Sequence, residues 1–257
     1  VIIDSHTHVG KMPGCQGTAA ELVAWADKLG YDRIFASHVG ALKYDYQRCN
    51  RELAEDVRRF PDRLLGYVTI PSPYHGQAAI DELRRGIEDN GLRGLKIYSQ
   101  PGGPLGGYGV IFSIANPAEM PLIAAAAELR CPVLAHCTPD ECDRVMSEVP
   151  DVILVMAHSG GLPPALGDWH RAIDVARRHP NVYLDTASSA ADLGFIEAAV
   201  AALGAERVIY GSDIPLLDPW TQLAKVTGAE ISDEAKALIL GGNMARLLRL
   251  RDQEGKK

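Results

Sequence analysis

The chain has no cysteine pair at CxxC spacing, no excess of positive charge and no apolar run of membrane-spanning length. Each absence removes a class of function. The five cysteines (Cys15, Cys49, Cys131, Cys137, Cys142) are odd in number and scattered. A chain of 257 residues can bury a core without covalent staples, so reduced thiols in a cytoplasmic protein are the expectation. Lys plus Arg number 26 against 33 Asp plus Glu, a formal charge of −7. That balance lacks the basic footprint that phosphate-backbone binding needs, so nucleic acid is not an expected partner. The longest apolar runs, such as Pro121–Ala127 and Val152–Ala157, fall far short of the ~20 residues of a membrane span. No membrane partner is expected either. The chain opens on Val1-Ile2-Ile3 with no basic segment, so no signal peptide is expected there.

What is present is an alternation of short β-branched runs with longer amphipathic ones. Strands are expected at Val1–His8, Arg33–Val39, Leu64–Ile70, Gly94–Ser99, Pro132–Cys137, Val152–Ser159, Val182–Ala187 and Val208–Pro215. Helical patterns fill the spaces between them, and a last helix is expected over Ser232–Leu250. Thr18 with Glu21 reads as a capping box, and Gly30, Gly91 and Gly204 follow the last periodic residues of their helices. Eight strand–helix units at roughly 31 residues each match the size of a βαβ block. Continuous apolar strands suit a parallel sheet buried on both faces. The expected fold is therefore an α/β (β/α)8 barrel, one domain over residues 1–257, with a C-terminal helix packed outside it. An open doubly wound sheet is the structural alternative. Gln100–Glu119, a Gly- and Pro-rich connection after the fourth strand, reads as a mobile cover over the barrel mouth.

Five of the eight histidines fall at carboxyl ends of apolar strands: His6 and His8, His38, His136 and His158. Asp213 ends the last strand in Tyr210-Gly211-Ser212-Asp213. Strand side chains alternate faces, so His6 and His8 point the same way, about 6.6 Å apart, which suits two imidazoles on one ion. In a parallel barrel all strands end at one rim, where catalytic groups collect. That rim gathers His6, His8, His136, His158 and Asp213 from distant parts of the sequence. Any one of them alone reads equally as a satisfied core histidine or a loop cap; the set points to a metal centre.

These residues, with Gly91-Leu92-Arg93-Gly94-Leu95-Lys96-Ile97-Tyr98, Met156-Ala157-His158-Ser159-Gly160-Gly161 and the tail Gly241-Gly242-Asn243-Met244-Ala245-Arg246-Leu247-Leu248, run in one order over nearly the whole chain. The chain resembles the amidohydrolase superfamily of metal-dependent barrels, in particular its amidohydrolase-related branch of hydrolases and decarboxylases. The resemblance implies that His6, His8, His136 and Asp213 bind a divalent metal, one ion rather than two, zinc ahead of manganese. It also implies that His158 contacts substrate or moves a proton, with a second-metal ligand as its other reading, and that Asp213 accepts the proton of the activated water. A divalent ion can bring bound water towards a pKa of ~7, which makes that role chemically coherent.

Lys96 and Tyr98 share one face of the fourth strand. Lys96 reads as a bridging carbamate, a cation for a substrate carboxylate, or a structural ion-pair partner. Tyr98 and His38 are candidate substrate contacts, and His38 reads equally as a core histidine. Asp185 could orient a ligand histidine or cap the next loop. Asn243 reads as an N-cap. Hydrolysis of a small amide, ester or lactone is the leading expectation. Non-oxidative decarboxylation of an aromatic or unsaturated acid is the alternative, and a non-catalytic binding barrel the third. The expected partner is a small-molecule substrate. A homo-oligomer is compatible with the sequence, which does not specify it.

Overall fold

The computed structural model describes residues 1–12, 14–42, 45–71, 76–98, 113–160, 168–188 and 193–250. Among the described residues nine strands form one curled sheet: β1 (Ile3–Met12), β2 (Cys15–Gly17), β3 (Arg33–His38), β4 (Leu64–Ile70), β5 (Gly94–Tyr98), β6 (Val133–His136), β7 (Leu154–Met156), β8 (Val182–Asp185) and β9 (Val208–Ile209). All neighbours pair in parallel except β2, which folds back antiparallel on the end of β1. The sheet closes where β9 meets β1. Ser5 N–H donates to the Tyr210 carbonyl at 3.0 Å, and His8 N–H to that of Ile214 at 2.9 Å. The expected eight-stranded parallel barrel is therefore the observed one, with β2 as an unanticipated addition.

Helices follow the strands and cover the barrel: α1 (Ala19–Leu29), α2 (Tyr46–Arg59), α3 (Gln77–Arg84), α4 (Met120–Glu128), α5 (Pro139–Glu148), α6 (Trp169–Arg178), α7 (Phe195–Leu203) and α8 (Pro219–Thr227). Five of these eight starts carry the side-chain caps that orphan N–H groups favour. Thr18 and Thr138 form full capping boxes with Glu21 and Glu141, while Asp45, Asp168 and Asp218 cap α2, α6 and α8. Among the described residues no helix is long and apolar enough to cross a membrane.

Two apolar clusters divide the core. The larger lies between strands and helices. The smaller fills the inside of the barrel with Phe35, Leu65, Tyr67, Leu134, Val155, Tyr183 and Ile209. Phe35 and Tyr67 stack at 3.5 Å, and a Cβ on Gly94 would sit 2.6 Å from the Tyr67 ring. That glycine makes room for the ring pair. The expected last helix is observed and runs unbroken through α9 (Asp233–Ala237), a wider turn at Leu238–Gly242 and α10 (Asn243–Leu247). At the wider turn the helix packs on the start of the chain, where a Cβ on Gly241 would lie 2.4 Å from the Val1 carbonyl oxygen. Met244 and Leu247 of α10 join the inner cluster and close the barrel floor from outside the ring of strands. Asn243 does not act as an N-cap; its buried amide donates to the Ala205 and Val208 carbonyls at 2.8 and 2.9 Å.

With the floor packed by apolar side chains, the opposite rim, at the carboxyl ends of the strands, is left for polar chemistry. Of the connection expected as a mouth cover, 100–112 lies outside the described residues, as does Gly161.

Candidate metal centre

A bulge in β1 aims the two histidines. Pairing with β3 runs Asp4 to Ile34 and then Thr7 to Ala36, so β1 spends one residue more than its partner. Ile3 faces the interior, and without the bulge His6, three residues on, would face outward. The slip is held in place by the buried Asp4 carboxylate, which accepts from Ser212 N–H at 2.9 Å and Ser212 Oγ at 2.5 Å. Simple alternation does place His6 and His8 on one face; it does not reveal which one.

His6 Nδ1 lies 2.7 Å from Asp185 Oδ2. With Nδ1–H donating to that carboxylate, Nε2 faces the mouth with its lone pair, the tautomer a metal requires. His8 is held in the opposite tautomer: its Nε2–H donates to Asp213 Oδ1 at 2.8 Å, and its Nδ1 accepts from Ser37 Oγ at 2.8 Å. His6 Nε2 is 3.5 Å from the same oxygen. Donor atoms of His6, His8 and Asp213 all fall within 4.8 Å of one another, and so do those of His6, His136 and His158. The expected four-ligand set is thus distributed over two triads that share His6. His136 faces His158, their Nε2 atoms 3.2 Å apart, and the buried Nδ1 of His136 has no hydrogen-bond partner among the described residues. An orphan nitrogen of this kind fits a site built to receive a ligand.

Lys96 is completely buried and points its Nζ to within 2.9 Å of His6 Nε2 and 4.8 Å of the Tyr98 ring centre. Tyr98 OH stands 3.4 Å from His8 Nδ1. Asp185 performs both of its expected roles. Its Oδ2 takes His6 and accepts His158 N–H at 3.1 Å, while its Oδ1 accepts Ala187 N–H at 3.1 Å. The approach needs Gly211, where a Cβ would fall 2.3 Å from Asp185 Oδ1. His158 Nδ1 meets the Ala187 carbonyl at 2.7 Å. His158, Ser159 and Asp213 hold φ values of 53°, 50° and 61°. Non-glycine residues rarely adopt such values, and they collect at sites where the surrounding structure enforces them.

Charge follows burial. Desolvation drives His6 and His136 well below the ordinary histidine range, with Lys96 adding repulsion. Burial also lowers His8, against the opposing bond from Asp213. All three are therefore neutral and able to ligate. Burial pushes Asp213 upward, but the hydrogen bond from His8 and the neighbouring His8, His158 and Lys96 side chains outweigh it and hold the carboxyl below its usual value. Burial takes Lys96 down to about 7.

His38 is not part of this cluster. Ser37 takes the inward position on β3, and His38 turns outward to α2, its Nε2 3.6 Å from Glu52 Oε2. Ser37, which orients His8, escapes a reading of ionisable residues because a strand-end serine carries no distinctive signal.

A family model described as amidohydrolase matches residues 3–250. Solved structures resemble the chain over almost its whole length. A 2,6-dihydroxybenzoate decarboxylase complexed with 2,6-dihydroxybenzoate is 17% identical, with a TM-score of 0.76, over 97% of this chain and 98% of its own. The 5-carboxyvanillate decarboxylase of Sphingomonas paucimobilis is 17% identical, with a TM-score of 0.77, over 96% of this chain and 98% of its own. A dihydroxybenzoic acid decarboxylase from Polaromonas sp. JS666, with bound manganese and 2-nitroresorcinol, is 16% identical, with a TM-score of 0.74, over 97% of each chain. At such identities the likeness establishes the fold.

Proposed function

The chain belongs to the amidohydrolase family, and from that premise we propose that it is a metal-dependent lyase that removes CO₂ from a small aromatic acid. This puts the decarboxylase reading ahead of the hydrolytic one. The observation that carries it is the buried Lys96 amine beside the metal-facing nitrogen of His6. An anionic substrate needs such a cation, whereas a neutral ester or lactone gains nothing from it. The likeness to three aromatic-acid decarboxylases over at least 96% of this chain supports the same choice.

His6, His8, His136 and Asp213 would hold one divalent ion. Imidazole and carboxylate donors suit several first-row metals. Manganese, present in the Polaromonas structure, stands beside zinc as a candidate. When bound, the ion supplies Lewis-acid stabilisation of negative charge on substrate oxygens. Lys96 pairs with the substrate anion, and the Tyr98, His136 and His158 rings offer flat surfaces to an aromatic ring. As the bond to the carboxyl carbon breaks, its electron pair stays on the ring carbon, which must then gain a proton. Asp213, held as a carboxylate, takes a proton from a substrate hydroxyl and can return it to that carbon. His158, oriented by the Ala187 carbonyl, is the other group able to deliver it.

Hydrolysis stays as a second reading because an ionised Asp213 serves equally well as the acceptor of a proton from water. The deciding experiment incubates the metal-loaded protein with hydroxybenzoates and, separately, with lactones, esters and amides. Release of CO₂ from the first panel alone is the expected result. Turnover of the second panel with no CO₂ from the first would replace the lyase by a hydrolase.

A further inference from the structure

His38 leaves the barrel mouth but enters a second group of metal-binding side chains. It ends β3, while Cys49 and Glu52 lie three residues apart on α2, a spacing that puts them on one helix face. One donor atom from each lies within 4.8 Å of the other two. We propose that His38, Cys49 and Glu52 form a second cation site, selective for a thiophilic divalent ion such as Zn²⁺ and separate from the mouth centre.

Several observations fit this better than a simple ion pair. The 3.6 Å between His38 Nε2 and Glu52 Oε2 is too long for a hydrogen bond. It is close to the ~3.4 Å edge between two ligands each ~2.0–2.1 Å from a tetrahedral zinc ion. Glu52 is already oriented, since Arg48 Nε takes its Oε1 at 2.8 Å and leaves Oε2 towards His38. The imidazole is clamped between two glycines. A Cβ on Gly10 would fall 2.5 Å from its Cε1, and one on Gly40 2.8 Å from the same atom. Gly10 sits at φ +92°, where a side chain would be strained. A buried thiol, an imidazole and a half-exposed carboxylate give an N, S, O set with an approach from solvent, leaving the fourth position for water.

Loading is balanced by two local changes. The Cys49 thiol, which burial raises to about 11, gives its proton to solvent as the sulfur–metal bond forms. Gly40 N–H now donates to His38 Nδ1 at 3.2 Å. A ring that ligates through Nε2 carries its proton on Nδ1, so that amide turns away, a motion open to glycine. The ion would fasten the end of β3 to α2, one residue beyond the Ser37 that orients His8.

Cobalt(II) titration tests this independently of the reaction catalysed at the mouth. The mouth ligands are imidazoles and a carboxylate, so a thiolate-to-cobalt charge-transfer band in the near ultraviolet reports a cysteine site alone. Wild type is expected to develop the band and to carry two zinc ions per chain by native mass spectrometry. Cys49→Ser should abolish the band and leave one zinc, while Cys15→Ser keeps both readings. No band at saturating cobalt, or a band that survives in folded Cys49→Ser, overturns the proposal. Should Cys49→Ser fail to fold, Glu52→Gln on the helix surface carries the test. A direct ligand should matter at least as much as outer partners, so a loss of second-site affinity of ~10–100-fold or more supports it. Unchanged affinity overturns it.

Discussion

Lys96 Nζ and a divalent ion address the same lone pair of His6, 2.9 Å from the amine. Removing the amine should therefore have opposite effects on metal and on substrate. Lys96→Met is expected to raise metal affinity by about tenfold or more, in keeping with the ~1.5–3 kcal/mol of a hydrogen bond to a charged group. The same variant should lose kcat/KM for an anionic substrate. A competition titration against a chromophoric chelator measures the first effect. A fall in affinity would instead mark Lys96 as a ligand through its carbamate. Asp213→Asn tests a different role, since the amide still offers an oxygen to an ion but takes no proton at neutral pH. Turnover should drop at least ~10²–10⁴-fold with metal stoichiometry largely kept, the range typical of lost proton transfer. Near-normal turnover would pass the role to His158.

At this same scale the sequence was informative where an ionisable group ended an apolar run. His6, His8, His136, His158 and Asp213 could all be picked out that way, and the structure brings them to one rim. His38 met the same criterion, yet β3 turns it outward while Ser37 faces the site. Position at a strand end gives the rim, and only parity gives the face.

At the scale of elements, continuous apolar runs located the eight barrel strands, and the Thr18–Glu21 capping box located the start of α1. What they left out has identifiable causes. β2 is three residues with one exposed, too short for a period-two pattern. The β1 bulge depends on Asp4 reaching Ser212 across the barrel seam, a contact no local window contains. The wider turn between α9 and α10 sets Gly241 against the first residue of the chain, a contact equally remote in sequence.

One helix start carries a prediction of its own. Glu119 precedes α4 fully buried, with neither carboxyl oxygen partnered among the described residues, and burial lifts it to about 8. Unfolded, the group titrates near its ordinary 4.5, so between those values the native state binds the extra proton. Stability must then fall as pH rises through that window, by at most about 1.4 kcal/mol per unit. Glu119→Gln keeps a neutral side chain at every pH. Its melting temperature should exceed that of wild type at pH 8 and match it near pH 4.5. Parallel curves for the two proteins would mean that Glu119 is ionised in the folded state.

For the molecule as a whole, the seam and the metal centre are the same place. β9 contributes only Val208 and Ile209 to the sheet. Beyond it the barrel is shut by Ser5 N–H to Tyr210, Asp213 N–H to His6 and His8 N–H to Ile214, at 3.0, 2.7 and 2.9 Å. His6 and His8 stand on one side of this seam, and Asp213 follows the strand on the other. An ion held by all three would bridge the closure and add a constraint that the unfolded chain lacks. Metal at a hundred times its dissociation constant should therefore stabilise by about 2.7 kcal/mol. In a chain of this size that corresponds to a rise in Tm of roughly 5–10 °C. The gain should be local as well as global. Hydrogen exchange at Ser5, His8 and Asp213 should slow on loading more than at the β4–β5 amides, whose pairing is far from the seam. A uniform slowing across the sheet would indicate that the ion stabilises the fold without acting at the closure, and no slowing at all would place it on a different set of ligands.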